Sequence, residues 1–250
     1  MKILLLDGMN LVHRARSGFN KGPNALVFSF FRGLKPIVEK HSPDKVYFVL
    51  EGKPKHRKNL DPGYKSGRPK APDDFWPQVN RIISLLTNIP IVQIRHPDFE
   101  CDDVIANLAK QHSEAGNQVV IVSNDTDFIQ VFDTMSHDLV KIYNPHKKKF
   151  VVPPDYNYLS WKSLRGDSSD SIPGIKGVGD KTATKLIKDP KLMEDTLLKE
   201  GNRERYETNL KLIKFHWFET CSEDFISQGA QVVYPAARLS NLKAEFARMN

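Results

Sequence analysis

The stretch VVIVSNDTD, residues 119–127, sets a short apolar run directly before two aspartates. Val119, Val120, Ile121 and Val122 are all β-branched, with no polar residue alternating between them. A run of this kind reads as a strand buried on both faces of a mostly parallel sheet. Asp125 and Asp127 then stand beyond its carboxyl end, which is where open α/β sheets bind their ligands.

Three earlier runs repeat the arrangement. ILLL (3–6) ends at Asp7, VYFVL (46–50) ends at Glu51, and IPIVQI (89–94) is followed by Glu100, Asp102 and Asp103. Amphipathic stretches at about 25–40, 74–87 and 103–113 separate the runs and predict helices, so the class is α/β: a mostly parallel central sheet flanked by helices. LVKIYN (139–144) and KFVV (149–152), on either side of the turn NPHKK, extend the sheet at one edge. After Pro153-Pro154 the pattern becomes helical around a glycine-rich turn. This divides the chain into a core at 1–158, a small helical subdomain at 159–203, and a C-terminal helical segment at 204–250 that packs back on the core. Tyr206, Leu210, Ile213 and Trp217 carry the helical spacing in that last segment.

The chain has 250 residues, a formal net charge of +7 and 40% hydrophobic residues, enough for one good core with a satellite. Ile3–Leu6 is too short for a signal-peptide core or a membrane span. Two cysteines, Cys101 and Cys221, make neither a disulfide framework nor a zinc site by themselves. They suit a reducing cytoplasm, and a membrane partner is not expected. A basic balance points to a nucleic-acid partner, and it sharpens once the acids are sorted. Nine of the 30 acids fall in the motifs described here, so the remainder of the chain is more basic than the whole.

One acid after a strand is an ordinary helix cap; acids after four strands in succession form a cluster. Two unit charges ~4 Å apart repel by about 4 kcal/mol at an effective dielectric of ~20. Protonation, basic partners or divalent cations relieve this, and oxygen ligands without His select Mg²⁺ or Mn²⁺. A cluster of this size holds two ions, a number suited to phosphodiester hydrolysis. Asp167 and Asp170, three residues apart, would reach the same site from one helical turn. The turn that follows, with Gly174, Gly177, Gly179 and then Lys181, has the spacing G-x-x-G-x-G. That spacing matches neither the dinucleotide fingerprint nor a P-loop. On its own it fits a phosphate cradle and an ordinary loop equally well.

Asp7-Gly-x-Asn10, Tyr64-Lys65-x-x-Arg68, Glu100-Cys101-Asp102-Asp103, Ser123-x-Asp125-x-Asp127 and Gly166-Asp167-Ser168-Ser169-Asp170-x-Ile172-Pro173-Gly174 occur in this order over residues 1 to about 190. Together they resemble the 5' nuclease family of phage flap endonucleases, 5'-3' exonucleases and the 5' nuclease domain of bacterial DNA polymerase I. The resemblance implies a PIN-like core and hydrolysis of DNA phosphodiesters by two Mg²⁺ or Mn²⁺ ions at 5' ends or flap junctions. The implied metal ligands are Asp7, Glu51, Glu100, Asp102, Asp103, Asp125, Asp127, Asp167 and Asp170. It also implies a helix-three-turn-helix element in which Gly174, Gly177, Gly179 and Lys181 grip duplex DNA, often with a bound K⁺.

Residues 52–70, GKPKHRKNLDPGYKSGRPK, carry seven Lys or Arg against one acid, Asp61. Alone, such a run is a solvated surface. The resemblance makes residues 52–72 an arch over single-stranded 5' ends, with Lys65 and Arg68 acting at the scissile phosphate and Lys53, Lys55, Arg57 and Lys58 binding DNA. Glu51 departs from the family pattern, which has Asp there. The expected partner is DNA with duplex and single-stranded 5' portions, and the expected state is a monomer. A PIN-type ribonuclease and a catalytically weak junction-binding homologue are the alternatives. An Asp-x-Asp phosphatase is disfavoured because Met9 stands two residues after Asp7.

Overall fold

In the computed structural model, which describes residues 1–16, 22, 24–218, 229–236 and 238–249, the four acid-terminated runs lie side by side. They form β1 (Lys2–Asp7), β2 (Lys45–Leu50), β3 (Val92–Arg95) and β4 (Gln118–Val122), joined by β5 (Val140–Asn144). All neighbouring pairs among these five are parallel, in the order β5-β4-β1-β2-β3. β6 (Lys149–Phe150) pairs antiparallel with β5 at one edge, as the NPHKK turn predicts.

Helices α1 (Gly8–Arg16) and α2 (Ala25–His41) lead from β1 to β2. The short α3 (Lys55–Leu60) and α4 (Phe75–Leu86) lead from β2 to β3, and α5 (Cys101–Glu114) carries the chain back across the sheet to β4. Strand order therefore reverses between β1 and β4, the topological switch point at which such sheets bind ligands.

Both faces of the sheet are covered because its strands are apolar on both sides of the pleat. Ile3, Leu5, Val49, Ile94, Ile121 and Ile142 pack with Val104, Ile105 and Leu108 of α5. Leu4, Leu6, Phe48, Val120 and Val122 pack on the other face with Phe30 and Leu34 of α2 and with Val79 and Ile82 of α4.

Beyond the core, α6 (Tyr158–Arg165) is followed by a two-stranded ribbon, β7 (Gly166–Asp167) and β8 (Ile172–Pro173). Helices α7 (Asp180–Lys188), α8 (Pro190–Leu197) and α9 (Asn202–Ile213) complete this part. It has its own small core of Leu164, Ile175, Ala183, Leu186 and Leu197.

The C-terminal stretch differs from the all-helical expectation. α9 stops at Ile213 and Trp217 lies in the segment after it. β9 (Gln231–Val233) then adds an antiparallel edge strand to β3, and α10 (Leu239–Met249) follows. Cys101 is buried, as a small hydrophobe would be, and Cys221 lies outside the described residues. No helix among the described residues is long and apolar enough to cross a membrane.

Candidate metal centre

The switch point brings a first acidic group together. Asp7 closes β1 and is buried; Ser123 Oγ donates to its Oδ2 at 2.6 Å and the Asn10 N–H to its Oδ1 at 3.0 Å. Asn10 Oδ1 in turn accepts the Asn124 N–H at 3.0 Å, which ties the turn after β1 to the turn after β4. At the start of α5, the Cys101 N–H points at Glu51 Oε2 at 3.3 Å, and Cys101 Sγ lies 3.6 Å from Asp7 Oδ1 and 3.3 Å from Asp102 Oδ1. Asp125 Oδ1 accepts the Asp127 N–H at 2.8 Å and so caps the short 3-10 helix Thr126–Asp133. Asp7, Glu51, Asp102 and Asp125 line one cleft of about 670 Å³, with Lys65 and Arg68 on its wall.

A second group joins Asp127, Asp167 and Asp170, whose oxygens approach within 4.8 Å of one another. The expected helical turn is here a 3-10 turn, Ser168–Asp170, in which residues three apart eclipse. Lys162, from α6, pairs with Asp127 and lies 2.6 Å from Asp167 Oδ2. The bridge between the groups is the basic segment. Lys65 pairs with Glu100 and stands 3.7 Å from Asp170 Oδ2, while Arg68 Nη2 donates to Asp170 Oδ1 at 2.6 Å. Lys65 holds a left-handed φ of 58°, and its N–H donates to the Asp170 carbonyl at 2.9 Å. A side chain held in that strained region by a backbone tether is a fixed feature of the site.

Four expectations need correcting. Glu100, expected among the metal ligands, is buried and its oxygens are taken by Lys65, Arg57 and Tyr64, so it holds the basic segment instead. Asp103 does not face the cleft: it is fully buried, and Arg57 donates to its two oxygens at 2.6 and 2.8 Å, with the His216 N–H adding a third bond at 2.8 Å. Consecutive helical residues diverge by about 100°, so Asp102 and Asp103 cannot look the same way. Arg57 is not a surface DNA contact. Its side chain is 7% exposed, and it bridges Asp103, Glu100 Oε2 at 2.7 Å and the Leu212 carbonyl at 2.7 Å. Gly174 is required for packing, because a Cβ there would sit 1.9 Å from the Arg165 carbonyl oxygen. Gly177 does turn at φ +79° into open space, with Gly179 and exposed Lys181 beside it. Lys53, Lys55 and Lys58 are exposed, and Lys55 pairs with Asp98 at 2.6 Å.

Electrostatics record the crowding. Burial, assisted by the charges of Asp125 and Glu51, pushes the Asp7 carboxyl up to about 7 against the hydrogen bonds from Ser123 and Asn10. Loss of water together with Asp125, Asp7 and Glu51 holds Asp102 well above the usual carboxylate range. Burial also raises Glu51, with Glu100 adding to the effect. Asp127 rises to about 6 through burial and Asp125, despite Lys162. Asp167 goes the other way: the bonds from Lys162 and Ser169 outweigh its burial and bring it down to about 2. Among the described residues Asp7, Asp102 and Asp125 form no salt bridge, and Lys65 offsets only part of the crowding at Asp102. Oxygen donors crowded without salt-bridge partners fit hard divalent cations.

A pH dependence follows. An acid whose folded pKa exceeds its unfolded value loses stability as pH rises between the two. The metal-free chain therefore loses the contribution of Asp7 between the unfolded value, 3.8, and about 7. Asp167 has the opposite sign, contributing above 3.8 and losing that contribution as pH falls through about 2. Mg²⁺ is expected to raise the thermal midpoint more at about pH 8 than at about pH 5, as differential scanning fluorimetry with and without chelator would measure. An equal rise at both would mean that the first group does not hold the ion.

Several participants escaped the sequence reading. Lys162 is 4% exposed yet sits in an amphipathic helix where a lysine reads as surface. Tyr64, whose OH lies 2.9 Å from Glu100 Oε2 and 3.3 Å from Asp170 Oδ2, belongs to the motif that flagged Lys65 and Arg68. Ser123 and Asn10 also stand inside quoted motifs, so their signal was present without a role.

An open α/β sheet with an acidic centre at its switch point and a helical glycine-turn appendage is the architecture of a resolvase-like nuclease core with a small helical domain. The chain belongs to the 5'-3' exonuclease family: the N-terminal resolvase-like domain matches residues 2–157 and the C-terminal SAM fold residues 152–216. It is 30% identical over 238 residues to the thermostable DNA polymerase I of Thermus aquaticus, covering 86% of this chain and 28% of that protein. The chain thus spans roughly a quarter of the length of such curated relatives. The bacteriophage T5 flap endonuclease, solved with DNA and metal ions, has the same fold, with a TM-score of 0.68 and 20% identity over 85% of this chain and 89% of that one. The catalytic core of Rad2 in complex with DNA substrate superimposes with a TM-score of 0.59 at 15% identity, over 97% and 85% of the two chains.

Proposed function

We propose that this chain hydrolyses DNA phosphodiester bonds at 5' ends and flap junctions with two divalent cations, Mg²⁺ or Mn²⁺. One observation carries the reading: carboxylates from separate strand ends, none of them in a salt bridge among the described residues, converge on a cleft whose wall is formed by Lys65 and Arg68. Asp7, Glu51, Asp102 and Asp125 would hold one ion, and Asp127, Asp167 and Asp170 the other. Bound there, the ions would polarise phosphoryl oxygens and acidify water. The chain's own groups bind and orient. Lys65 and Arg68 sit where they can stabilise charge developing on a phosphate, while Glu100 and Asp170 hold them in position. Gly177, Gly179 and Lys181 offer backbone N–H groups and a charge to a duplex phosphate.

Labelled flap DNA and structured RNA, each incubated with and without Mg²⁺, test the reading. Metal-dependent release of a 5' fragment from DNA is expected; cleavage confined to RNA would favour a PIN-type ribonuclease. Glu51→Gln keeps the shape of the side chain and removes its charge. This change should raise the Mg²⁺ concentration for half-maximal rate by roughly 10- to 100-fold, with Glu51→Asp recovering part of the rate. A titration curve superimposable on wild type would remove Glu51 from the metal site.

A further inference from the structure

The basic segment has two sides. Lys65 and Arg68 face the acidic cleft, whereas Pro54, His56 and Arg57 line a second cavity of about 320 Å³ on its other side. The two are separated by little more than one carboxylate, because Lys65 grips Glu100 from the cleft and Arg57 from the cavity at 2.7 Å.

The chemistry of this second cavity is distinct. Phe99, His216 and Trp217 supply rings, with Phe99 and His216 stacked 4.4 Å apart and His56 5.7 Å beyond His216. Burial holds His216 below its usual pKa, so it acts as a neutral ring near neutral pH. Lys211 and Lys214 are exposed at the mouth and form no ion pair among the described residues. The acids in the wall are committed, since Asp98 is paired with Lys55 at 2.6 Å and Asp103, behind the floor, with Arg57. Aromatic surface beside free cations takes a planar group that carries a negative charge, and a nucleotide is such a group.

We propose that this cavity binds a nucleotide of the single-stranded 5' tail, the base against His216 and Phe99 and the phosphate at Lys211 and Lys214. The inference rests on the nuclease reading above. It gives the tail a seat of its own on the far side of the segment that flanks the cleavage site.

The test compares the affinity of the full chain for duplex DNA without a tail and with a 5' tail of about eight nucleotides, in magnesium-free buffer so that no cleavage occurs. In wild type the tail should strengthen binding by about tenfold, the scale of one stacked base. Lys211→Gln with Lys214→Gln and His216→Ala should reduce that gain to about twofold or less and leave the affinity for untailed duplex unchanged. Lys211→Gln alone alters one exposed helical position, and should lose part of the gain with the fold intact. In a chain with Trp217 as its only tryptophan, oligothymidylate should change the fluorescence. The same tail gain in wild type and variants, no gain in wild type, or a response to thymidine monophosphate without any tail gain would each overturn the proposal. Failure of wild type to bind or cleave any DNA would instead sink the nuclease reading.

Discussion

Replacing Asp125 and Asp127 together by Asn is expected to lower cleavage by at least ~10³-fold, the scale seen when a fixed charge-stabilising group is removed from a reaction site. Affinity for DNA should be unchanged or higher. Both changes are conservative in shape. Asp125→Asn retains a side-chain oxygen to accept the residue-127 N–H, now at 2.8 Å, so the cap of the 3-10 helix survives. What is lost is charge in both acidic groups at once, since Asp125 lines the cleft of the first and Asp127 belongs to the second. Asp125→Asn alone carries a second readout, kept separate because Asp127→Asn also weakens the pairing of the buried Lys162. Asp125 is among the charges that push Asp7 and Asp102 up, so its neutralisation relieves repulsion and should raise the thermal midpoint of the metal-free chain. Loss of cleavage with a raised midpoint is the signature of a cation site. Retained cleavage by the double variant would dismiss the site altogether.

Arg57→Ala should cost about 3–5 kcal/mol of stability, the range for removing one partner from a buried ion network. Arg57 satisfies Glu100 and Asp103, of which the second is fully buried, and also binds the carbonyls of Leu212 at the end of α9 and of Lys214 just beyond it. Without it a buried carboxylate has only the His216 N–H, and the segment after α9 loses its bond to Arg57 while keeping those to Asn107 and Gln130. Because whole domains are stable by only about 5–15 kcal/mol, this is a large fraction. Urea denaturation in chelator would measure it. Asp103→Asn added to Arg57→Ala should recover part of the loss, since the stranded charge is gone. A loss under about 1 kcal/mol would mean that the network is solvated like a surface pair.

How far the sequence could be read depended on the kind of signal. The strands were legible because short apolar runs of this length fit a doubly covered sheet, and four of them, β1 to β4, were marked by acids at or beyond their ends. β9 was not, because Gln231–Val233 is three residues long and has no periodicity to register. α1 was hidden within the motif that follows Asp7, and α3 is only six residues long. For the site, residue type and strand-end position identified Asp7, Glu51, Asp102, Asp125 and Asp127 as candidates, and the fold brings them to the switch point. Type could not tell a carboxylate facing the cleft from one facing the core: Asp102 and Asp103 are adjacent in sequence and look different ways. Nor could it tell Lys65 from Arg57, both in one basic run, since which cation turns inward depends on acids 35 to 46 positions away.

The edge strand β9 has a further consequence. β3 would otherwise end the sheet with a row of open N–H and C=O groups, and the sequence from Val92 to Arg95 offers only one charge, Arg95, to discourage a neighbour. Bare edges of this kind recruit strands from other molecules. The three residues from the far end of the chain thus act as a guard against self-association. A shortened form ending before Gln231 would keep every carboxylate of the metal centre and still tend to clump, so its failure in solution would say nothing about its chemistry.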